Sequence, residues 1–548
     1  VPTLEILQAA ALAGGPVPVD VLLEAVGADP SGLDLGPALR QGLLARWVDA
    51  GEEWASLTRA AFEVSLLSGL TDAETRALHV AMAEAVKRRP SGEWEQRFLV
   101  LHMALGSGQR AELVQLVELG EFLARAGRPM AALDTLDKAA EAADVDAGLA
   151  SRRAVARSES LRAVGRLREA WEALAAGERL AREQGQTEVI ARADALALEL
   201  ELAQGVPPDP ARAERVSLLS KTRHVYAQLA TGDYAARLGD AVRAEHHYQA
   251  CLADAESPQD RASVASRLAL ARLAVGRGAL DDAERSLLSL VRELRGRGRR
   301  TALSEAFLHL AMVQRAHGQF SRALDSVDLS DEAAAHREIA ARALFAQLVR
   351  AWVQLGVGDR EGAAERIAGS AAAADPTAPY PVRALYYELL AEERRERSDA
   401  PAALAAHLSA LESAKRACDV VGEAFHDGMS ALFTANARHV SSAVERLARM
   451  GPHRLLAQLM LAGALVGRDP DILGAAEREA RLSGDPLLLL DVIHALRASS
   501  RHAEARALAR RLCDTTRGEA AVSLRRRPSV RWALSDSAHG AGGRDKGQ

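Results

Sequence analysis

Aromatic residues are scarce: Phe, Trp and Tyr together make up 4% of the 548 residues, while Ala, Leu, Arg and Glu dominate. Sheets draw on aromatic and β-branched side chains, so this composition argues against a largely β fold and predicts an almost wholly α chain. Cysteine is sparse too. Cys251, Cys418 and Cys513 are odd in number and far apart in sequence, which argues against a disulfide framework and fits a reducing compartment. No apolar run approaches the roughly 18–20 residues that cross a bilayer, and the start has no basic segment leading into an apolar core, so a cytoplasmic, non-membrane protein is expected. The net charge is −5, which gives the whole chain no attraction for polyanions and makes nucleic acid an unlikely main partner.

Catalytic signatures are missing as well. The chain contains no Gly-Lys pair, hence no Walker A loop to cradle nucleotide phosphates, and no HRD or DFG element of a kinase. GxSxG elbows and HExxH helices are absent. The glycine-rich GVGDREG at Gly356–Gly362 misses the dinucleotide spacing by one residue and lies between two helical segments, so it reads as a hairpin turn. His247 and Cys251 are four apart on one expected helix, but nothing completes a four-ligand metal set. The carboxylate pairs Asp281-Asp282 and Glu392-Glu393 read as turn-flanking or solvated. Consequently no catalytic, cofactor-binding or metal-ligating residue is assigned, and no cofactor is expected.

What the chain does contain is a repeat. Turn glycines recur at Gly127, Gly165, Gly239, Gly278, Gly318 and Gly358, each followed five residues later by Ala. Seven residues before each stands Gly120, Ser158, Gly232, Ala271, Ala311 or Ala351, and Ala391, Ser398 and Ala403 continue the register weakly. A permissive turn between two small residues is what two antiparallel helices need to cross closely. Intervals of about 38 to 40 residues, with one doubled step between Gly165 and Gly239, predict an α-solenoid of tetratricopeptide-like helical hairpins.

Residues 1–90 do not follow the repeat. Three short helices over Leu4–Leu12, Val19–Val26 and Asp34–Leu44, then a two-stranded hairpin over Ala45–Asp49 and Trp54–Thr58, give the order of a small winged-helix domain. Helices over Ala60–Leu70 and Ala73–Lys87 follow, the second with Glu74 in its first turn. Residues 91–520 read as the repeat solenoid, its register weakening after about 405. The last stretch, 521–548, is poor in apolar residues and reads as a disordered tail; its RRRPS segment matches a basic-directed kinase site at Ser529. The arginine run over 292–300 reads as a solvated connector, and Arg40 and Arg46 bring little positive charge for a DNA-reading helix.

The order ILQAAALAGGPVPVDVLLEAVG, LRQGLLARW, the hairpin, then RAAFEVSLLSGLTDAETRALHVAMAEAV resembles the winged-helix segment after the nucleotide-binding module of STAND-type signalling ATPases. The LHVAMAEAV stretch from Leu78 carries most of the likeness. In that family the segment leads into tetratricopeptide-like repeats, as it does here. Bacterial Ser/Thr kinase–ATPase fusions and maltose-regulator-type activators share this architecture, with repeats that sense an inducer or partner and an ATPase that switches. The resemblance therefore implies a non-catalytic sensor and scaffold whose groove binds a protein, a peptide or a small-molecule inducer. The chain opens at Val1 directly in helical text, so an NTPase or kinase module is expected upstream. A regulatory part of such a kinase, and a DNA-binding regulator, stand as alternatives.

Overall fold

A computed structural model describes residues 2–13, 17–28, 36–41, 43–49, 52–57, 65–88, 113–125, 129–140, 146–255, 260–296, 300–333, 340–467, 469–496 and 501–535. Near the N-terminus, helix Pro2–Ala13, strand β1 (Val17–Pro18), helices Val19–Ala25 and Gly36–Arg40, and strands β2 (Leu44–Asp49) and β3 (Glu52–Leu57) follow one another. The antiparallel sheet has the order β1-β3-β2, with Val17 opposite Ala55 and Trp47 opposite Trp54. Ile6, Ala9, Val17, Leu22 and Ala55 form its core, to which Met82 and Ala83 of helix Asp72–Lys87 contribute. That helix starts on a capping box: the Glu74 amide donates to Thr71 Oγ1 at 3.3 Å, and the Thr71 amide donates to Glu74 Oε2 at 2.8 Å.

From Leu113 onward the described residues form antiparallel helical hairpins stacked in chain order, an all-α solenoid. The turns share one construction. Gly165, Gly239, Gly278, Gly318 and Gly358 all have φ between 75° and 83°, the left-handed region where a Cβ is costly. At Gly239 the amide donates to Ala236 O at 3.1 Å and the Asp240 amide to Ala235 O at 3.0 Å, which satisfies the last carbonyls of helix Val225–Arg237. Asp240 then caps the next helix by accepting from the Arg243 amide at 3.0 Å. Asp359, Asp399 and Asp419 do the same one residue after Gly358, Ser398 and Cys418.

The small-residue rule describes the crossings. Ala132, Ala170, Ala244, Ala283, Ala323 and Ala363, five residues after each turn glycine, are all buried. A Cβ at Gly120 would overlap Leu136, one at Gly232 would stand 2.7 Å from Tyr248, and Ser158 Oγ donates to Ala170 O at 2.7 Å. The doubled step is filled by Gly205 (φ 71°), which ends helix Thr187–Gln204. Leu198 precedes it and Pro210 follows it where the rule expects small residues, so the sequence pattern passes over this hairpin. Gly127 lies outside the described residues.

The hairpins wind into a coil whose successive turns touch. Gly165 faces Ala341, Gly205 faces Tyr380 and Arg383, Gly278 meets Leu482, and Gly358 faces Ser523 and Arg527. Each contact joins residues roughly 165 to 210 positions apart, about four or five hairpins. Polar bonds follow the same seam: Arg383 Nη2 donates to Gln204 O at 3.0 Å, Arg315 Nη1 to Asp485 at 3.1 Å, and Arg527 Nη1 to Leu355 O at 3.0 Å. One apolar core accordingly runs from Leu308 and Phe320 through Trp352 to Leu490, Leu512 and Val530.

The C-terminal end corrects the expectation of a disordered tail from 521. Helices Gly518–Arg526 and Pro528–Leu534 pack on the last coil, burying Ala521, Leu524, Val530 and Ala533. Few apolar residues suffice because these helices only close the open end of an existing core. Residues 536–548 of that tail lie outside the described residues.

If turn glycines hold the coils together, Gly278→Ala is expected to cost clearly more stability than Gly185→Ala. Both residues have positive φ, which sets a common penalty of about 1 kcal/mol or more, but only at 278 would the methyl overlap another backbone, that of Leu482. Urea unfolding of the two variants measures the difference, and equal costs would contradict the seam.

Candidate functional site

The residue following each crossing position, small at all of them but Leu198, lies on the first helix of its hairpin. Along the register these residues are Glu121, Glu159, Glu199, Asp233, Arg272, Met312, Trp352 and Glu392. The first three carboxylates are buried and joined through guanidinium groups into an alternating chain. Arg152 Nη2 reaches Glu121 at 2.6 Å; Arg192 bridges Glu121 at 3.3 Å and Glu159 at 2.5 Å; Arg261 bridges Glu159 and Glu199, both at 2.9 Å; Arg162 closes on Glu199 at 3.2 Å. Burial drives the Glu159 carboxyl upward, but Arg192 and Arg261 outweigh it and bring it down to about 2. A charged network at this depth costs desolvation, so it holds only while each member keeps its partners.

This chain borders a chamber of about 630 Å³ reached by Arg125, Arg162, Arg237, Arg272 and Arg342, with Leu229, Leu268 and Tyr380 among its apolar walls. Arg237 lies 4.1 Å over the Tyr380 ring. Arg162 Nε and Arg237 Nη1 are buried without an acceptor. Asp233 accepts from Tyr248 Oη at 2.7 Å, and burial raises its carboxyl. His309, in the same wall, is pushed down to about 3 by burial and by Arg272, and is neutral.

A second chamber, about 740 Å³, lies between the later coils. Trp352 is flanked by Arg315 at 4.4 Å and Arg454 at 4.6 Å, and both cations face Asp485, at 3.1 and 3.5 Å. Burial raises the Glu388 carboxyl there. His407 and His426 meet Nδ1 to Nδ1 at 3.2 Å and are held down to about 3 and about 4 by burial, so both are neutral and one donates to the other.

The residues singled out from sequence sit elsewhere for the most part. The described repeat glycines are turn and seam positions, and only Gly358 also borders a chamber. Gly358 and Asp359 form a helix-to-helix turn, while Gly356 belongs to the last turn of helix Ala340–Val357. Ser529 is 2% exposed and its hydroxyl donates to Asp491 at 2.5 Å, so the kinase-site expectation meets a packed hydroxyl that a kinase cleft cannot enclose without local opening. Burial pushes the Cys251 thiol to about 11, and among the described residues no group of three or more His, Cys, Asp or Glu is placed to hold a metal. Glu393, read as solvated, is 3% exposed and ion-paired to Arg394 and Arg397. The ladder from Glu121 to Asp233 escaped notice. Its signal stands in the register position after Gly120, Ser158, Leu198 and Gly232, where four consecutive hairpins carry an acid even though Leu198 is not small.

No protein-family model matches the chain, and no curated protein matches it. Among solved structures it is similar to a Rap protein complexed with Competence and Sporulation Factor, at 11% identity over 74% of this chain and 99% of that one, with TM-score 0.41. It is also similar to the STAND protein with a tetratricopeptide repeat sensor PH0952 from Pyrococcus horikoshii (13% identity, 90% and 65% covered, TM-score 0.26) and to yeast Tom70 (11%, 81% and 99%, TM-score 0.29). The described residues form an all-α array of antiparallel helical hairpins. No helix among them is long and apolar enough to cross a membrane.

Two outcomes test the buried charges. His309, His407 and His426 have folded values of about 3 to 4 against an ordinary 6.5. As pH falls below about 6.5 the unfolded chain takes up protons that the folded chain refuses, so stability declines from there to about 3. Glu159, lowered in the fold, adds a loss between about 4.5 and 2. Urea midpoints across pH are expected to fall over the first window, and replacing the three histidines by Leu to flatten that slope. Separately, Arg261→Met removes one of the two guanidinium partners of both Glu159 and Glu199 and is expected to cost about 3–5 kcal/mol in the same assay.

Proposed function

We propose that this chain is a non-catalytic sensor and scaffold that takes a protein or peptide partner, or a small inducer, on the inner face of its coil. The observation that carries this reading is the first chamber, where side chains of first helices converge and buried guanidinium N–H groups lack acceptors. Pockets of this size take several residues of an extended segment or a small ligand. The N-terminal order of helix, strand, helix, helix, strand, strand with a β1-β3-β2 sheet supports reading residues 1–90 as a winged-helix unit. With the resemblance to STAND-type ATPases, this supports a chain that relays binding to an NTPase switch upstream of residue 1. A DNA-reading role draws less support, because Arg46 is ion-paired to Glu53 and Arg88 to Glu24.

The test is selection of a random peptide library on the full chain, followed by hydrogen exchange with the selected peptides. Protection is expected on the inner helices Val225–Arg237, Arg261–Gly276 and Arg300–Ala316. Protection confined to residues 1–88 would contradict the reading, and the absence of any selected binder would contradict its peptide and protein part and leave the small inducer.

A further inference from the structure

The first chamber carries an imbalance of charge that the second does not. Among the described residues, six guanidinium groups line it against four carboxyls, whereas five of each line the second. The chain as a whole is acidic, at −5, so the excess is local. The carboxyls of the first chamber are also largely spent. Glu199 is matched by Arg162 and Arg261; Asp419 accepts from Tyr380 Oη at 2.7 Å and from the Gly422 amide at 3.0 Å; Asp233 accepts from Tyr248.

Among the described residues, three of these cations have no carboxylate at ion-pair distance. Arg342 faces only the field of Glu305, Arg272 is exposed at the chamber wall, and Arg237 donates to Leu202 O at 3.2 Å while its Nη1 is buried with no acceptor. Arg162 Nε adds a second buried donor without a partner. Leaving such donors unmet is costly, and an incoming acceptor recovers that cost on binding. Guanidinium groups prefer planar oxyanions, which they grip through two parallel N–H···O bonds. Between them, Leu229, Leu268 and Tyr380 offer apolar surface for neighbouring side chains.

We propose that this chamber binds an acidic peptide segment of a partner protein, its side-chain carboxylates held by Arg237, Arg272 and Arg342. The inference rests on the reading of the inner face as a peptide groove and adds the sign of the ligand. Among the described residues neither Arg272 nor Arg342 completes an ion pair, so replacing them strands no buried carboxylate there.

The test uses fluorescein-labelled eight-residue peptide pools of acidic, neutral and basic composition, with anisotropy measured on the full chain. The acidic pool is expected to bind at least tenfold more tightly than the basic one, to weaken with salt, and to lose at least tenfold in Arg272→Gln and in Arg342→Gln. Arg285→Gln, which alters an outward ion pair with Asp282, is expected to bind as the unaltered chain does. Thermal unfolding of each variant identifies any loss that comes from misfolding, and the variant that keeps its transition decides. Tighter binding of the neutral or basic pool, or acidic binding indifferent to both arginines, overturns the acidic assignment while leaving a peptide groove. Failure of all three pools overturns the groove as well. Full displacement of the acidic pool by an equal concentration of inorganic phosphate assigns the site to a small anion and overturns the peptide.

Discussion

At Gly120 and Gly232 the next helix of the hairpin comes so close that a single added methyl would collide with Leu136 or Tyr248. That close approach sets the geometry of the array. Paired helices crossing at small residues lie near enough for Ala132 and Ala244 to be fully enclosed, and the left-handed residue at each turn returns the chain within one or two positions. Because an aspartate commonly follows, one short segment both ends a helix and starts the next. A bulkier residue at the crossing would spread the pair and change how each hairpin rotates on the last.

The regularity has a second consequence along the coil axis. Turn glycines project from the edge of each hairpin, and after four or five hairpins that edge meets the next coil at Leu482, Tyr380 or Arg527. An open solenoid would leave its inner face in water; contact between coils encloses it. Enclosure is what makes ionised groups such as Glu159, Arg192 and Arg261 so dependent on one another, and what keeps His407 and His426 neutral. The same lowered access to water strengthens any charge-assisted bond that a ligand forms there.

Much of this architecture was legible in the sequence, for a local reason. Turn glycines and small crossing residues act within about a dozen positions, so their spacing prints directly onto the chain. The hairpin at Gly205 was hidden because Leu198 and Pro210 replace the small residues there. The tail departs from its sequence reading because burial of Leu524 and Val530 depends on a core supplied by other helices, among them Ala340–Val357, Pro486–Leu496 and His502–Thr515. Coil closure and the chambers share that difficulty, since nothing near Gly278 announces Leu482. The acid ladder was written in the repeat register, but its meaning needs Arg261 to arrive from a hairpin some 60 to 100 residues away.

Closure of the coil is the claim on which the chambers, the buried charges and the proposed ligand all depend. A Cβ placed on Gly165 would stand 3.4 Å from that of Ala341, close to the separation a disulfide spans. The direct measurement is mild oxidation of the Gly165→Cys/Ala341→Cys variant, read by peptide mapping of the monomer. A closed coil predicts rapid formation of the 165–341 disulfide, with neither single variant cross-linking at these positions. Two free thiols persisting in a folded monomer would mean that the coils do not touch.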